Sequence, residues 1–189
     1  HGMLPLEQAA TAAIGLVLGI TAHVGGWPVP RGGAAALTNA LVRLLGAHGG
    51  RVECGRRIRT LDDVPHTRAI LLDLTAGPAL EVAGERFPAW FRRRLQRIRP
   101  GAAAFKVDYA LDAPIPWRDA ACRRAMVVHV GGTIAEVAAA ERAVWAGRAA
   151  DAPFLLVSQP SLFDASRASA GAHTAWAYAH VPNGFAGDI

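Results

Sequence analysis

The run Gly25-Gly26-Trp27-Pro28-Val29-Pro30-Arg31-Gly32-Gly33 constrains the fold more than any other stretch, because its four glycines and two prolines exclude regular structure. Proline fixes φ and removes a donor, while glycine opens left-handed turns. The chain must change direction here, between two apolar stretches. Before the run, Leu4 to Ala22 is rich in alanine and leucine, with Gly15 and Gly19 four apart, which suits a helix that another backbone approaches closely. Its apolar part, Ala9 to Ala22, is shorter than the roughly 20 residues of a bilayer span, and no basic segment precedes it as in a signal peptide. It is predicted as a buried helix. After the run, Leu37, Leu41, Leu44 and Leu45 predict a helix over Ala34 to Ala47 that stops at Gly49-Gly50.

The next segments are expected to be short strands at Arg51 to Glu53 and Arg57 to Leu61. A fully buried strand is expected at Ala69 to Leu74, a continuous apolar run bounded by turn signals. Phe87 to Ile98 predicts an arginine-bearing amphipathic helix ended by Pro100-Gly101. Beyond it the pattern becomes alternating: strands are predicted at Ala103 to Leu111, Ala125 to Val130, Phe154 to Ser158 and Thr174 to His180. Between the second and third lies a helix, with Thr133 as cap, Glu136 in the capping-box position and Gly147 as its limit. The expected class is α/β with α+β character, a mixed or antiparallel sheet with covering helices. A soft boundary near residue 100 separates residues 1–99 from 100–189. No internal repeat is visible.

The net charge of +5 carries little information about partners, because Lys106 is the only lysine and the arginines are spread along the chain. Their one cluster, Arg92-Arg93-Arg94 with Arg97 and Arg99, reads as a solvated helix face rather than a nucleic-acid patch. Cys54 and Cys122 are too few and too far apart for a disulfide framework or a zinc site. A reducing cytoplasm is expected.

Five stretches together resemble one family: Gly-Trp-Pro-Val-Pro-Arg-Gly-Gly at 26–33, Lys-Val-Asp-Tyr-Ala-Leu-Asp-Ala-Pro-Ile-Pro-Trp at 106–117, His-Val-Gly-Gly-Thr at 129–133, Gln-Pro-Ser-Leu-Phe-Asp at 159–164, and His-Thr-Ala-Trp-Ala-Tyr-Ala-His-Val-Pro-Asn-Gly at 173–184. They are similar to the amine-oxidase-type flavoproteins, in the branch of phytoene-desaturase-like enzymes and the bacterial NAD(P)/FAD-dependent oxidoreductases near them. The resemblance implies a two-domain FAD-dependent oxidoreductase with a mixed-sheet substrate domain. It also implies that this chain is an internal fragment, inactive alone, since no Gly-x-Gly-x-x-Gly follows a strand. By the same resemblance Ile58 would offer backbone groups to adenine, Thr75 would lie near ribose and pyrophosphate, and Arg31, Gly32 and Gly33 would pass near the domain junction and approach flavin or substrate. Arg167 to Gly171 departs from the family pattern, where a proline is expected at Ser169.

The polar residues allow two readings each. His129 and His180 lie in apolar strands, where they either approach a flavin and move a proton or serve as hydrogen-bonded core histidines. His23 and His173 have weaker claims. Lys106 and Asp108 share one strand face, followed by Asp112, and form either a polar spot facing the flavin or a structural ion pair. Trp117 and Trp145 read as packing residues. Trp176 and Tyr178 share a strand face that either packs or lines an apolar substrate channel. Ser161 and Asp164 lack a Gly-x-Ser-x-Gly elbow, and no spacing resembles a metal site. The expected partners are an apolar small-molecule substrate and, through exposed apolar surface, a second copy of the chain. The alternative class is a degenerate binding or dimerisation module without flavin.

Overall fold

The computed structural model describes residues 3–187. Contacts divide the chain into two units, one comprising His1–Leu44 with Gly101–Ile189 and the other Leu45–Pro100. The divisions fall at Leu44/Leu45 and at Pro100/Gly101. Residues 1–44, however, group with the sheet, a second division that the sequence reading does not contain.

In the first unit, α1 (Thr11–Gly25) precedes the Gly/Pro run, and α2 (Ala34–Ala47) follows it and extends past the division at Leu44. The end of α2 is a Schellman turn. Gly49 takes a left-handed φ of 77°, the Gly50 N–H donates to the Leu45 carbonyl at 2.9 Å, and the Gly49 N–H donates to Gly46 at 2.9 Å. The helix at 9–22 was expected to be buried, but none of the residues of α1 is. It is apolar on every side, and among the described residues nothing covers it.

The sheet consists of β1 (Ala103–Leu111), β2 (Val127–Val130), β3 (Leu155–Ser158) and β4 (His173–Val181). The strand order is β1-β4-β3-β2 and every pairing is antiparallel, so the sheet is antiparallel rather than mixed. α5 (Ile134–Trp145) links β2 to β3. It starts as the sequence predicts: the Thr133 hydroxyl accepts from the Glu136 N–H at 3.3 Å, and the Glu136 carboxylate accepts from the Thr133 N–H at 2.5 Å. An added Cβ at Gly132 would sit 2.0 Å from Glu136 Oε2, so a side chain there would have to displace the capping carboxylate. The buried apolar residues of this unit are Ala138, Ala140 and Val144 of α5 and, on the sheet face opposite to the one His180 occupies, Ala175, Ala179 and Val181 of β4.

The unit Leu45–Pro100 contains α3 (Ala76–Ala83) and α4 (Ala89–Gln96), with Ala79 and Ala83 buried. The strands expected at 51–53, 57–61 and 69–74 do not form. Leu71, read as part of a fully buried strand, is 91 % exposed. An apolar run becomes a strand only when a neighbour takes its backbone donors and acceptors, and no ladder exists in this unit. Local contacts organise it instead. Arg51 pairs with Glu53 at 3.1 Å, and the Asp63 carboxylate accepts from the Arg59 and Thr60 N–H groups at 2.8 and 3.0 Å.

Candidate functional site

Antiparallel register places alternate residues on one face. One row across the sheet reads Lys106, Tyr178, Leu156, His129, and the next reads Asp108, Trp176, Ser158, Val127. Lys106, Asp108, His129, Trp176 and Tyr178, each with a flavin- or substrate-facing reading in the sequence, therefore share one face although they come from three strands. α5 packs on the same face, where it meets His180.

The face carries a graded series of side chains. At the β1 edge the Lys106 ammonium pairs with the Asp108 carboxylate and sits 5.4 Å from the Trp176 ring centre, within cation–π range. Trp176 and Tyr178 stack with centroids 6.0 Å apart and planes at 12°. Tyr178 and His180 follow at 5.7 Å and 29°. The ladder ends in a buried pair, with His180 Nδ1 2.7 Å from Glu141 Oε1 and side chains 4 % and 3 % exposed. Burial and then the nearby Glu141 carboxylate hold the Tyr178 phenol above its ordinary pKa, so it stays a neutral donor. His129, on the far side of Leu156, has its ring 5.3 Å from Phe154. Partial burial lowers its pKa, which keeps the imidazole neutral near pH 7. Chemically this is an aromatic surface with a neutral hydroxyl and a neutral imidazole, suited to a flat or apolar molecule.

Glu141 did not stand out in the sequence. Its signal is a carboxylate three residues from both Ala138 and Val144, within the buried stripe of α5.

A second structural focus is the 159–164 stretch. Buried Gln159 donates from Nε2 to the carbonyls of Cys122 and Ala125, both at 2.7 Å, and accepts from Trp117 Nε1 at 3.1 Å. Asp164 reaches the Gly/Pro run: its Oδ2 accepts from the Gly32 N–H at 2.7 Å and from Arg167 Nε at 3.0 Å. Arg167 also donates to the Pro30 carbonyl at 3.1 Å. Ser161 Oγ lies 3.2 Å from His173 Nδ1 and accepts from the Thr174 N–H at 3.0 Å. Asp164 is committed to Gly32, Ser166 and Arg167, so Ser161, His173 and Asp164 do not form a relay.

Hydrogen bonds from Ser166, Gly32 and Arg167 hold the Asp164 carboxyl far below the usual range. A depressed folded-state pKa contributes stability that is present above the unfolded value, and that stability is lost as pH falls below about 4. Glu136 and Asp63 are shifted the same way by their backbone bonds. Asp164→Asn should therefore lower the denaturation midpoint at pH 6 and flatten its fall between pH 5 and 3 relative to the parent; parallel midpoint curves would contradict the assignment.

The positions carried over for the cofactor fall in both units: Arg31, Gly32 and Gly33 in the one, Ile58 and Thr75 in the other. Ile58 is half-buried outside any strand, and Thr75 is exposed at the N-terminus of α3. Taken separately, the exposed Arg31 guanidinium in the one unit and the Thr75 hydroxyl in the other are each hydrogen-bond donors of the kind a phosphate accepts from. Gly32 is not, since its N–H is already given to Asp164, and Gly33 lies against Arg167, whose Cζ would be 3.5 Å from an added Cβ. These residues fit a flavin dinucleotide only in part.

Fold and site together define an α+β protein with a four-stranded antiparallel sheet and one aromatic face. No helix among the described residues is long and apolar enough to cross a membrane. No protein-family model, no curated protein and no solved structure matches the chain.

Proposed function

We propose that this chain is the middle and substrate-binding part of an FAD-dependent oxidoreductase of the amine-oxidase/phytoene-desaturase-like superfamily, acting on an apolar substrate. What carries the reading is that Lys106, Asp108, His129, Trp176 and Tyr178, all with a flavin- or substrate-facing reading in the sequence, lie on one sheet face with a continuous aromatic ladder. Bound FAD would supply the hydride acceptor. The chain's own residues position the substrate: Trp176 and Tyr178, whose ring faces are taken up within the ladder, present their edges to it, Leu156 and Phe154 exclude water, and Lys106 with Asp108 marks the polar rim. The exposed apolar surfaces of α1 and of Ile70, Leu71 and Leu74 support a larger parent protein that covers them.

One observation favours the alternative of a binding module without flavin: the Gly32 N–H and the space over Gly33 are taken by Asp164 and Arg167. The two readings separate in protein expressed from the complete reading frame and loaded with FAD. If the aromatic face lies near the flavin, Trp176→Ala relieves quenching and raises flavin fluorescence, while Trp27→Ala does not. Equal fluorescence in both variants counts against the proposal.

A further inference from the structure

The free edge of β1 is self-complementary. Among the described residues no strand pairs with β1 on the side away from β4, which leaves its outward N–H and C=O groups available as a template. Its sequence Ala103-Ala-Phe-Lys-Val-Asp-Tyr-Ala-Leu111 is a chemical palindrome about Val107: small and aliphatic at the ends, aromatic at 105 and 109, opposite charges at 106 and 108.

We infer that β1 pairs antiparallel with β1 of a second copy about a two-fold axis at Val107, joining the two sheets into one. A two-fold interface requires a surface that complements itself, and this strand does so in one register. With Val107 facing Val107, Lys106 faces Asp108 of the second copy and Asp108 faces its Lys106. On the opposite face Phe105 meets Tyr109 of the second copy, again twice.

Shifting the pairing by two residues in one direction sets Lys106 against Lys106. Shifting it in the other sets Asp108 against Asp108. A one-residue slip puts the charges opposite apolar residues on the wrong face. Parallel in-register pairing stacks like charges throughout. Lys106, Val107, Asp108 and Tyr109 are all exposed, so pairing also removes apolar surface from water. The partner is thus a second copy of this chain, and the charge pattern that protects the edge from other strands selects this one.

The test is sedimentation equilibrium of this chain over a range of concentrations. The parent forms a concentration-dependent dimer. Lys106→Asp and Asp108→Lys each replace two attractive cross-strand pairs by two repulsive ones and weaken the dimer about tenfold or more. The double exchange, Lys106→Asp with Asp108→Lys, restores it, which also shows that the single variants had not simply unfolded. A parent that stays monomeric at every concentration, a dimer indifferent to the single charge reversals, or a double exchange that does not recover association would each overturn the inference.

Discussion

Replacing Glu141 by alanine should lower the free energy of unfolding by up to about 3 kcal/mol, the cost of taking away the carboxylate that hydrogen-bonds the buried His180 imidazole. That is a large part of the roughly 5–15 kcal/mol that holds a domain folded. The physical cause is location. Glu141 and His180 are among the most buried polar residues, with side chains 3 % and 4 % exposed, and they hydrogen-bond to each other at 2.7 Å. Neither has water to return to. The expectation extends to a double variant: Glu141→Leu with His180→Phe removes both polar groups together and should cost less than either single change. Urea denaturation of the parent, the two singles and the double closes the cycle. Additive losses would show that the pair is not coupled and that the ladder does not rest on it. Because Tyr178 stacks on His180, the Glu141 variant should also change the near-ultraviolet circular dichroism of the aromatic face.

Gln159→Leu should cost about 2–4 kcal/mol, since it removes three hydrogen bonds and leaves their partners in a partly buried site. The Cys122 and Ala125 carbonyls and the Trp117 indole N–H all lose their partner at once. These groups tie the connection between β1 and β2 to the end of β3, so the loss has a local signature besides the global one. Trp117 emission should shift to the red, and the half-buried Cys122 thiol should become as reactive toward a thiol reagent as exposed Cys54. Unchanged Cys122 reactivity in a destabilised variant would contradict the role given to Gln159.

The elements that the sequence predicted well are those whose cause is local. The alternation of β1 and β4 and the Thr133–Glu136 box are written within a few residues, and the ends of α2 follow from Gly33 and Gly49-Gly50. The stretch 69–74 has a strand's composition but no neighbour to complete it, and composition does not state where a partner is. The same blindness explains α1, whose apolar residues imply a cover that the described chain does not supply.

The aromatic face was legible in part. The two-residue spacing put Trp176 beside Tyr178 and Lys106 beside Asp108. Only the registers β1–β4, β3–β4 and β2–β3 bring these together with His129. Glu141 and Asp164 act across 39 and 132 residues of sequence separation, where spacing says nothing.

The central claim, that this sheet serves a flavin enzyme, is tested most directly by the visible absorption spectrum of protein purified from the complete reading frame and desalted. The flavoprotein account predicts a flavin band that stays with the protein, while this chain mixed with FAD and desalted is colourless. A complete protein that remains colourless even after reconstitution with FAD would contradict the account and leave the aromatic face as a binding surface without redox chemistry.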